Sequence, residues 1–181
     1  MHPDAVQRVL GVLLMVFSVT MLPPALVSVI AADGVAEAFF LTSGLLLAVG
    51  GLLWLPVRQS RRELRIRDGF FVVAMFWVVL GAAGSLPLAL QPVVPLAFVA
   101  ALFESVSGLT TTGATALTGL DALPVSILYY RQQLQWLGGM GIVVLAVAIR
   151  PMLGLGGVQL HRPELPGRVT VAELDPPVAG A

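Results

Sequence analysis

Pro95-Leu-Ala-Phe-Val-Ala-Ala-Leu-Phe-Glu-Ser-Val-Ser-Gly108 runs straight into Leu109-Thr-Thr-Thr-Gly-Ala-Thr115. The first part reads as a helix, with proline suited to its first position because the missing N–H costs nothing there. Its 14 residues would span about 21 Å. A hydrocarbon core is about 30 Å thick, so this helix is too short to cross one. The second part is polar, small and poorly helical. Taken alone, Thr-Thr-Thr-Gly-Ala-Thr fits a loop outside any membrane. Placed after a half-length helix and between two long apolar segments, it reads as a re-entrant loop. Non-helical backbone at membrane depth is tolerated only where it is buried in protein or lines a water-filled path.

The surrounding chain supports a membrane setting. Of 181 residues, 57% are hydrophobic and 11% charged, against roughly 25% charged in ordinary soluble domains. A chain this apolar needs lipid as its solvent. Val9 to Ala32 is a first span, with Pro23-Pro24 kinking it or ending its regular part; it is too long for the apolar region of a cleaved signal peptide. Asp33-Gly34 marks a turn, and Ala38 to Val57 is a second span. Residues 58–68 carry five arginines against Glu63 and Asp68. The opposite loop has only Asp33 and Glu37, so the positive-inside rule places the arginine loop in the cytoplasm. Gly69 to about Leu90 then runs outward, Pro92 and Pro95 interrupt it, and the loop enters from outside. Leu123-Pro124 opens a last helix to about Ile149, closed by Arg150-Pro151.

The expected architecture is an all-α membrane protein with four transmembrane helices, one re-entrant pore helix and a filter loop. Residues 1–57 form two N-terminal transmembrane helices, 58–68 a cytoplasmic basic loop and 69–150 a helix–pore-loop–helix repeat. Residues 151–181 form a cytoplasmic tail whose last part is expected to be disordered. Both termini face the cytoplasm.

Thr111-Thr112-Gly113-Ala114-Thr115 suits a dehydrated cation. Potassium filters replace the water shell with backbone carbonyls from short loops. Such loops need small residues and a permissive glycine, and the negative end of the preceding helix points at the filter entrance. Glu104, inside the short helix, reads as a buried counter-charge holding the loop or attracting cations, or as a carboxylate that simply reaches water. Arg131 lies about 10 Å along the last helix from Pro124, with Gln135 on the same face. A Glu104–Arg131 pair is one reading. Snorkelling to the outer interface, with Tyr129, Tyr130 and Trp136 as an aromatic belt, is the other. Gly138-Gly139-Met140-Gly141, Gly81 and Gly84 read as surfaces for close helix approach.

Phe103-Glu-Ser-Val-Ser-Gly-Leu-Thr-Thr-Thr-Gly-Ala-Thr115 and Tyr130-Arg-Gln-Gln-Leu-Gln-Trp-Leu-Gly-Gly-Met-Gly-Ile-Val-Val-Leu-Ala-Val-Ala-Ile149 resemble the first pore loop and the following helix of the TrkH/KtrB family. These are the membrane subunits of bacterial Trk-type potassium uptake. Gly154-Leu-Gly-Gly-Val-Gln-Leu160 and Arg162-Pro-Glu-Leu-Pro-Gly167 fit the segment that follows, so the resemblance covers about residues 1–167. It implies potassium transport across the bacterial cytoplasmic (inner) membrane, with K+ as the transported ion. It also implies a cytoplasmic TrkA-type nucleotide-binding subunit as gating partner. Thr111, Thr112, Gly113 and Ala114 would be the filter segment, with Glu104 and Arg131 supporting it.

The family carries four helix–pore-loop–helix repeats after two extra helices, whereas this chain has the two helices and one repeat. Transport therefore needs a homo-oligomer or a complementing pore-repeat chain. The alternative is a non-conducting fragment lacking the other three repeats. The Pro- and Ala-rich tail from Arg168 to Ala181 departs from the family pattern. A broken-helix secondary transporter would show a second broken segment in an inverted repeat, and none is visible. Cysteine is absent, which excludes disulfides and thiolate metal sites. No metal site beyond potassium is expected, and no cofactor. Zero formal net charge and the lack of a nucleophile–base arrangement point away from nucleic-acid binding and from an enzyme.

Overall fold

The computed structural model describes residues 3–58, 66–94 and 96–152. Six helices follow one another, with no strand among the described residues: α1 (Pro3–Val19), α2 (Leu22–Ala31), α3 (Ala36–Trp54), α4 (Ile66–Leu90), α5 (Phe98–Leu109) and α6 (Val125–Met152). Short 3₁₀ turns occupy Leu55–Val57 and Leu120–Ala122. Met1–Leu145 forms one compact unit; of the second, Ala146–Ala181, only the end of α6 is described. Most of the basic loop, the proline at 95 and the tail beyond Met152 lie outside the described residues.

Three helical segments are long and apolar enough to cross a membrane: Pro3–Ala31, Ala36–Val57 and Gly69–Leu90. The chain is a multi-pass membrane protein by this measure. The first segment breaks at Thr20–Met21, ahead of the prolines. A proline ring collides with the carbonyl four residues earlier, so Pro23 and Pro24 act on the turn at Val19 and Thr20. Of these carbonyls, Thr20 O accepts from the Gln133 amide; Ser18 O, already bonded to Met21 N at 3.2 Å, also accepts from Ser43 Oγ at 2.9 Å.

Lipid removes most of the area-driven force between helices, leaving close packing and hydrogen bonds to hold them. Glycines supply the packing. A Cβ on Gly11 would lie 2.9 Å from Gly50 O, and one on Gly50 would lie 2.8 Å from Gly11 O. That reciprocal contact seats α1 on α3. A Cβ on Gly138 would overlap the Leu109 carbonyl group, and one on Gly108 would lie 2.9 Å from Leu134 Cβ. Here α6 rests on the end of α5. Gly81 and Gly84 admit Val106 and Ser105 of α5 in the same way. Gly139 is different, since the nearest atom to its added Cβ would be Thr111 Cγ2 at 3.8 Å.

Tyr130 does not belong to an interfacial belt. It is fully buried, donates its hydroxyl to Gly84 O at 2.8 Å and meets Phe39 edge-on at 5.2 Å. Tyr129 and Trp136 are exposed. At the end of α4, buried Gln91 replaces the missing helix continuation. Its Oε1 accepts from Val93 N at 2.9 Å and Val94 N at 2.8 Å, and its amide donates to Val94 O.

The loop between α2 and α3 reaches α6. Asp33 Oδ2 accepts from Ser126 N at 3.0 Å, while Oδ1 accepts from Ser28 Oγ and from Val35 N at 3.3 Å. The residues flanking the start of α6, Leu123-Pro124, offer no capping side chain, so the cap comes from 93 positions away. A cap of this kind contributes about 1 kcal/mol. Burial alone would raise the Asp33 pKa, but the donors Ser28, Ser126 and Val35 together bring it below its ordinary 3.8.

Two predictions follow from this packing. Gly138→Ala should destabilise the detergent-purified protein by about 3 kcal/mol, through overpacking against backbone. Gly44→Ala, whose added Cβ meets nothing within 4 Å, should be neutral or stabilise it by up to about 1 kcal/mol. Thermal unfolding of both variants measures this. Because the Asp33 pKa is depressed on folding, its contribution is complete above pH 3.8 and lost as pH falls through the lower folded value. The melting-temperature gap between wild type and Asp33→Asn should therefore stay constant from about pH 7 to pH 4.5 and shrink below that.

Candidate functional site

α5 has 12 residues, a length of about 18 Å. Ala97 is extended (φ −60°, ψ 143°) and Thr111 is left-handed (φ 57°), so the helix is bounded at both ends. It begins at Phe98, later than a start at residue 95. At its far end the chain folds back over the last turn. Thr110 N donates to Val106 O at 2.8 Å and Thr111 N to Gly108 O at 2.9 Å. Thr112 N and Gly113 N donate to Ser107 O at 3.0 and 3.4 Å. The carbonyls that a helix end leaves unsatisfied are thus occupied by the N–H groups of the Thr-rich segment.

Peptide geometry carries this further. No peptide bond among the described residues is cis, and in a planar trans peptide the C=O points opposite to the N–H. The peptides that aim the N–H groups of Thr112 and Gly113 at α5 therefore aim the carbonyls of Thr111 and Thr112 away from it. The carbonyls of Thr111, Thr112 and Gly113 accept no hydrogen bond from the described residues. Residues 110–116 are exposed on that side. Positive φ at Thr111 (57°) and Gly113 (73°) permits this course, and at position 113 glycine adopts it without strain. Ala114 differs, because its carbonyl accepts the Ser107 hydroxyl at 2.6 Å.

The chain then passes beside Glu104, which is 3% exposed. Its Oε1 accepts from Thr115 Oγ1 at 2.6 Å, from Ala116 N and from Leu117 N at 3.3 Å. Its Oε2 accepts from Arg131 Nε at 2.9 Å. One buried carboxylate thus joins α5, the chain leaving the loop, and α6. The Arg131 side chain is 11% exposed, so the guanidinium turns inward and does not snorkel. Gln135 faces the loop as well, its Nε2 lying 3.9 Å from where a Cβ on Gly113 would sit.

Sequence reasoning did not find Ser107, Asp33 or Gln133. Ser107 stands seven residues before Ala114, a separation with no local signature. The partners of Asp33 and Gln133 lie 93 and 113 positions away, beyond the reach of periodicity. No group of three or more His, Cys, Asp or Glu side chains able to hold a metal occurs among the described residues. The arrangement offers neutral backbone oxygens, which suit a weakly held monovalent cation.

Breaking a buried ion pair from one side leaves an uncompensated charge, at a cost of about 3–5 kcal/mol. Arg131→Met should lower stability by about that amount. Glu104→Gln combined with Arg131→Met should recover part of the loss. Thermal unfolding of the purified single and double variants tests the coupling.

The residues match a family model described as TrkH, cation transport protein, over 35–170. The Trk system potassium uptake protein TrkH of Halomonas elongata is 59% identical over 169 residues, covering 93% of this chain and 35% of that protein. Its counterpart in Escherichia coli K12 is 51% identical over 179 residues, covering 99% of this chain and 37% of that protein. The crystal structure of the potassium transporter TrkH from Vibrio parahaemolyticus superimposes with a TM-score of 0.81 at 52% identity. It covers 88% of this chain and 34% of its own. The chain spans about a third of the length of these relatives.

Proposed function

The chain belongs to the TrkH family of cation transport proteins, and from that premise we propose that its Thr111–Ala114 segment forms one wall of a potassium filter. The observation that carries this reading is the pair of carbonyls at Thr111 and Thr112. They are turned away from α5 by the hydrogen bonds of their own peptides and accept no hydrogen bond from the described residues. Backbone oxygens held in this way replace the hydration shell of a potassium ion without the strong binding that carboxylates would impose. Gly113 supplies a third carbonyl. Ala114 is a weaker ligand, since Ser107 already occupies part of its oxygen. In this reading Glu104 and Arg131 are supports that fix the loop and do not touch the ion.

The same reading fixes the topology. α1 with α2, α3, α4 and α6 are the four crossings, and α5 with residues 110–117 is a re-entrant segment entering from outside. Residues 69–150 act as one helix–pore-loop–helix repeat behind the two N-terminal crossings at 1–57. The arginines of 58–68 keep that loop, the tail at 151–181 and both termini in the cytoplasm of the bacterial inner membrane. Potassium is the transported ion, and a TrkA-type nucleotide-binding subunit docks on the cytoplasmic side.

One loop closes only one side of an ion, and residues 110–116 are exposed. The remaining walls come from further pore loops, supplied by a longer polypeptide or by other chains around the same axis. In potassium-starved cells whose uptake depends on the transporter containing this chain, Gly113→Asp should reduce rubidium uptake about tenfold or more, because it adds a charge and strain to the filter. Unchanged uptake at equal membrane abundance would overturn the filter assignment. Mass measurement in detergent separates a conducting assembly from a non-conducting fragment, since a monomer without a partner chain cannot enclose a filter.

A further inference from the structure

We propose that Asp33, in the loop between the N-terminal helices α2 and α3, is a positioning residue for the ion loop, acting through the start of α6; this rests on the filter reading above. The link consists of hydrogen bonds at two points of α6, joined by the helix between them. Asp33 Oδ2 accepts from Ser126 N at 3.0 Å, in the first turn of α6. Arg131 lies on the same helix, about 7.5 Å further along its axis. Its Nε donates to Glu104 Oε2 at 2.9 Å, and Glu104 Oε1 accepts from Ala116 N and from Leu117 N at 3.3 Å. The position and tilt of the first turn of α6 therefore set where the guanidinium sits. The guanidinium sets the carboxylate, and the carboxylate sets the backbone leaving the filter.

Both ends of this link are built for it. α6 has no capping side chain of its own beside Leu123-Pro124, and the Ser126 N–H is buried with the rest of that residue. The helix depends on the remote carboxylate for that N–H. Asp33 is in turn held by Ser28 Oγ and Val35 N, so it is a fixed acceptor and not a swinging side chain. Both of its oxygens are committed. An amide in its place has one accepting atom, and its NH₂ must oppose one of the three donors. Gln133, donating to Thr20 O at the α1–α2 break, is a second tie from the same N-terminal helices to α6. The two extra helices thereby act as an outer brace for the pore unit.

Two variants cut the link from opposite sides. Asp33→Asn alters the acceptor. Ser126→Pro removes the donor N–H together with the buried Ser126 hydroxyl, at a first-turn position where proline is tolerated, so Ser126→Ala, which keeps the N–H, is its control; the first turn of α2 already holds Pro23 and Pro24. In the detergent-purified chain, amide hydrogen exchange at Ala116 and Leu117 should quicken about fivefold in either variant, the scale of one lost hydrogen bond. The double variant should be no faster, and exchange in α3 should not change. In cells, the rubidium-to-sodium uptake ratio should fall, a quantity that mere loss of folded protein leaves alone. Unchanged exchange at 116–117, equal acceleration throughout the chain, or an unchanged ratio overturns the inference. If Gly113→Asp leaves uptake intact, the filter reading has failed separately, and the exchange result alone judges the link.

Discussion

A carboxylate buried among apolar helices has to be neutralised or surrounded by donors, and the structure around Glu104 follows from that requirement. The cost of placing an unpaired charge in such a medium is several kcal/mol. Arg131 answers one oxygen; the Thr115 hydroxyl and the backbone at Ala116 and Leu117 answer the other. Those donors come from two parts of the chain and the carboxylate from a third, so satisfying one side chain fixes the relation of α5, α6 and the segment between them. The backbone at residues 115–117 gains its rigidity from this anchor. The filter backbone ahead of it has no regular secondary structure, because its own N–H groups are spent on the end of α5.

That expenditure is also what frees the carbonyls. In a helix or sheet each peptide gives its N–H to one neighbour and its C=O to another. Here the N–H groups of four consecutive residues, 110–113, turn back on α5, and the oxygens on the opposite edges of the peptides ahead of Thr112 and Gly113 are left for a ligand. The helix end is capped and the oxygens exposed by the same fold of the chain. Glycine is required where the alternation of handedness reaches position 113. Thr111 bears the same kind of φ, at some strain.

Much of this was legible in the sequence, for physical reasons that can be named. The short helix was visible because a mostly apolar stretch of 14 residues before a Thr-rich run cannot span a bilayer. The first three spans were visible from their length and lack of charge. The Glu104–Arg131 contact was one of two readings, and the structure brings the pair together at 2.9 Å. The aromatic belt of Tyr129, Tyr130 and Trp136 failed for Tyr130, which is buried. A tyrosine on a helix flank can turn either way, and Gly84 offers it an inward acceptor. The break in the first span was legible from Pro23-Pro24, whose rings act on the turn before them. Asp33, Ser107 and Gln133 were illegible because their partners are set by tertiary approach, with no spacing in the chain to announce it.

The central claim is that the carbonyls of Thr111 and Thr112 face a cation. Thallium, a heavy potassium surrogate, gives an anomalous signal in crystals of the complete transporter containing this chain. The account predicts a thallium peak within direct ligand distance of those two oxygens, lost when sodium replaces it. An empty site there in thallium, with the Thr111 and Thr112 carbonyls hydrogen-bonded to protein, would contradict it.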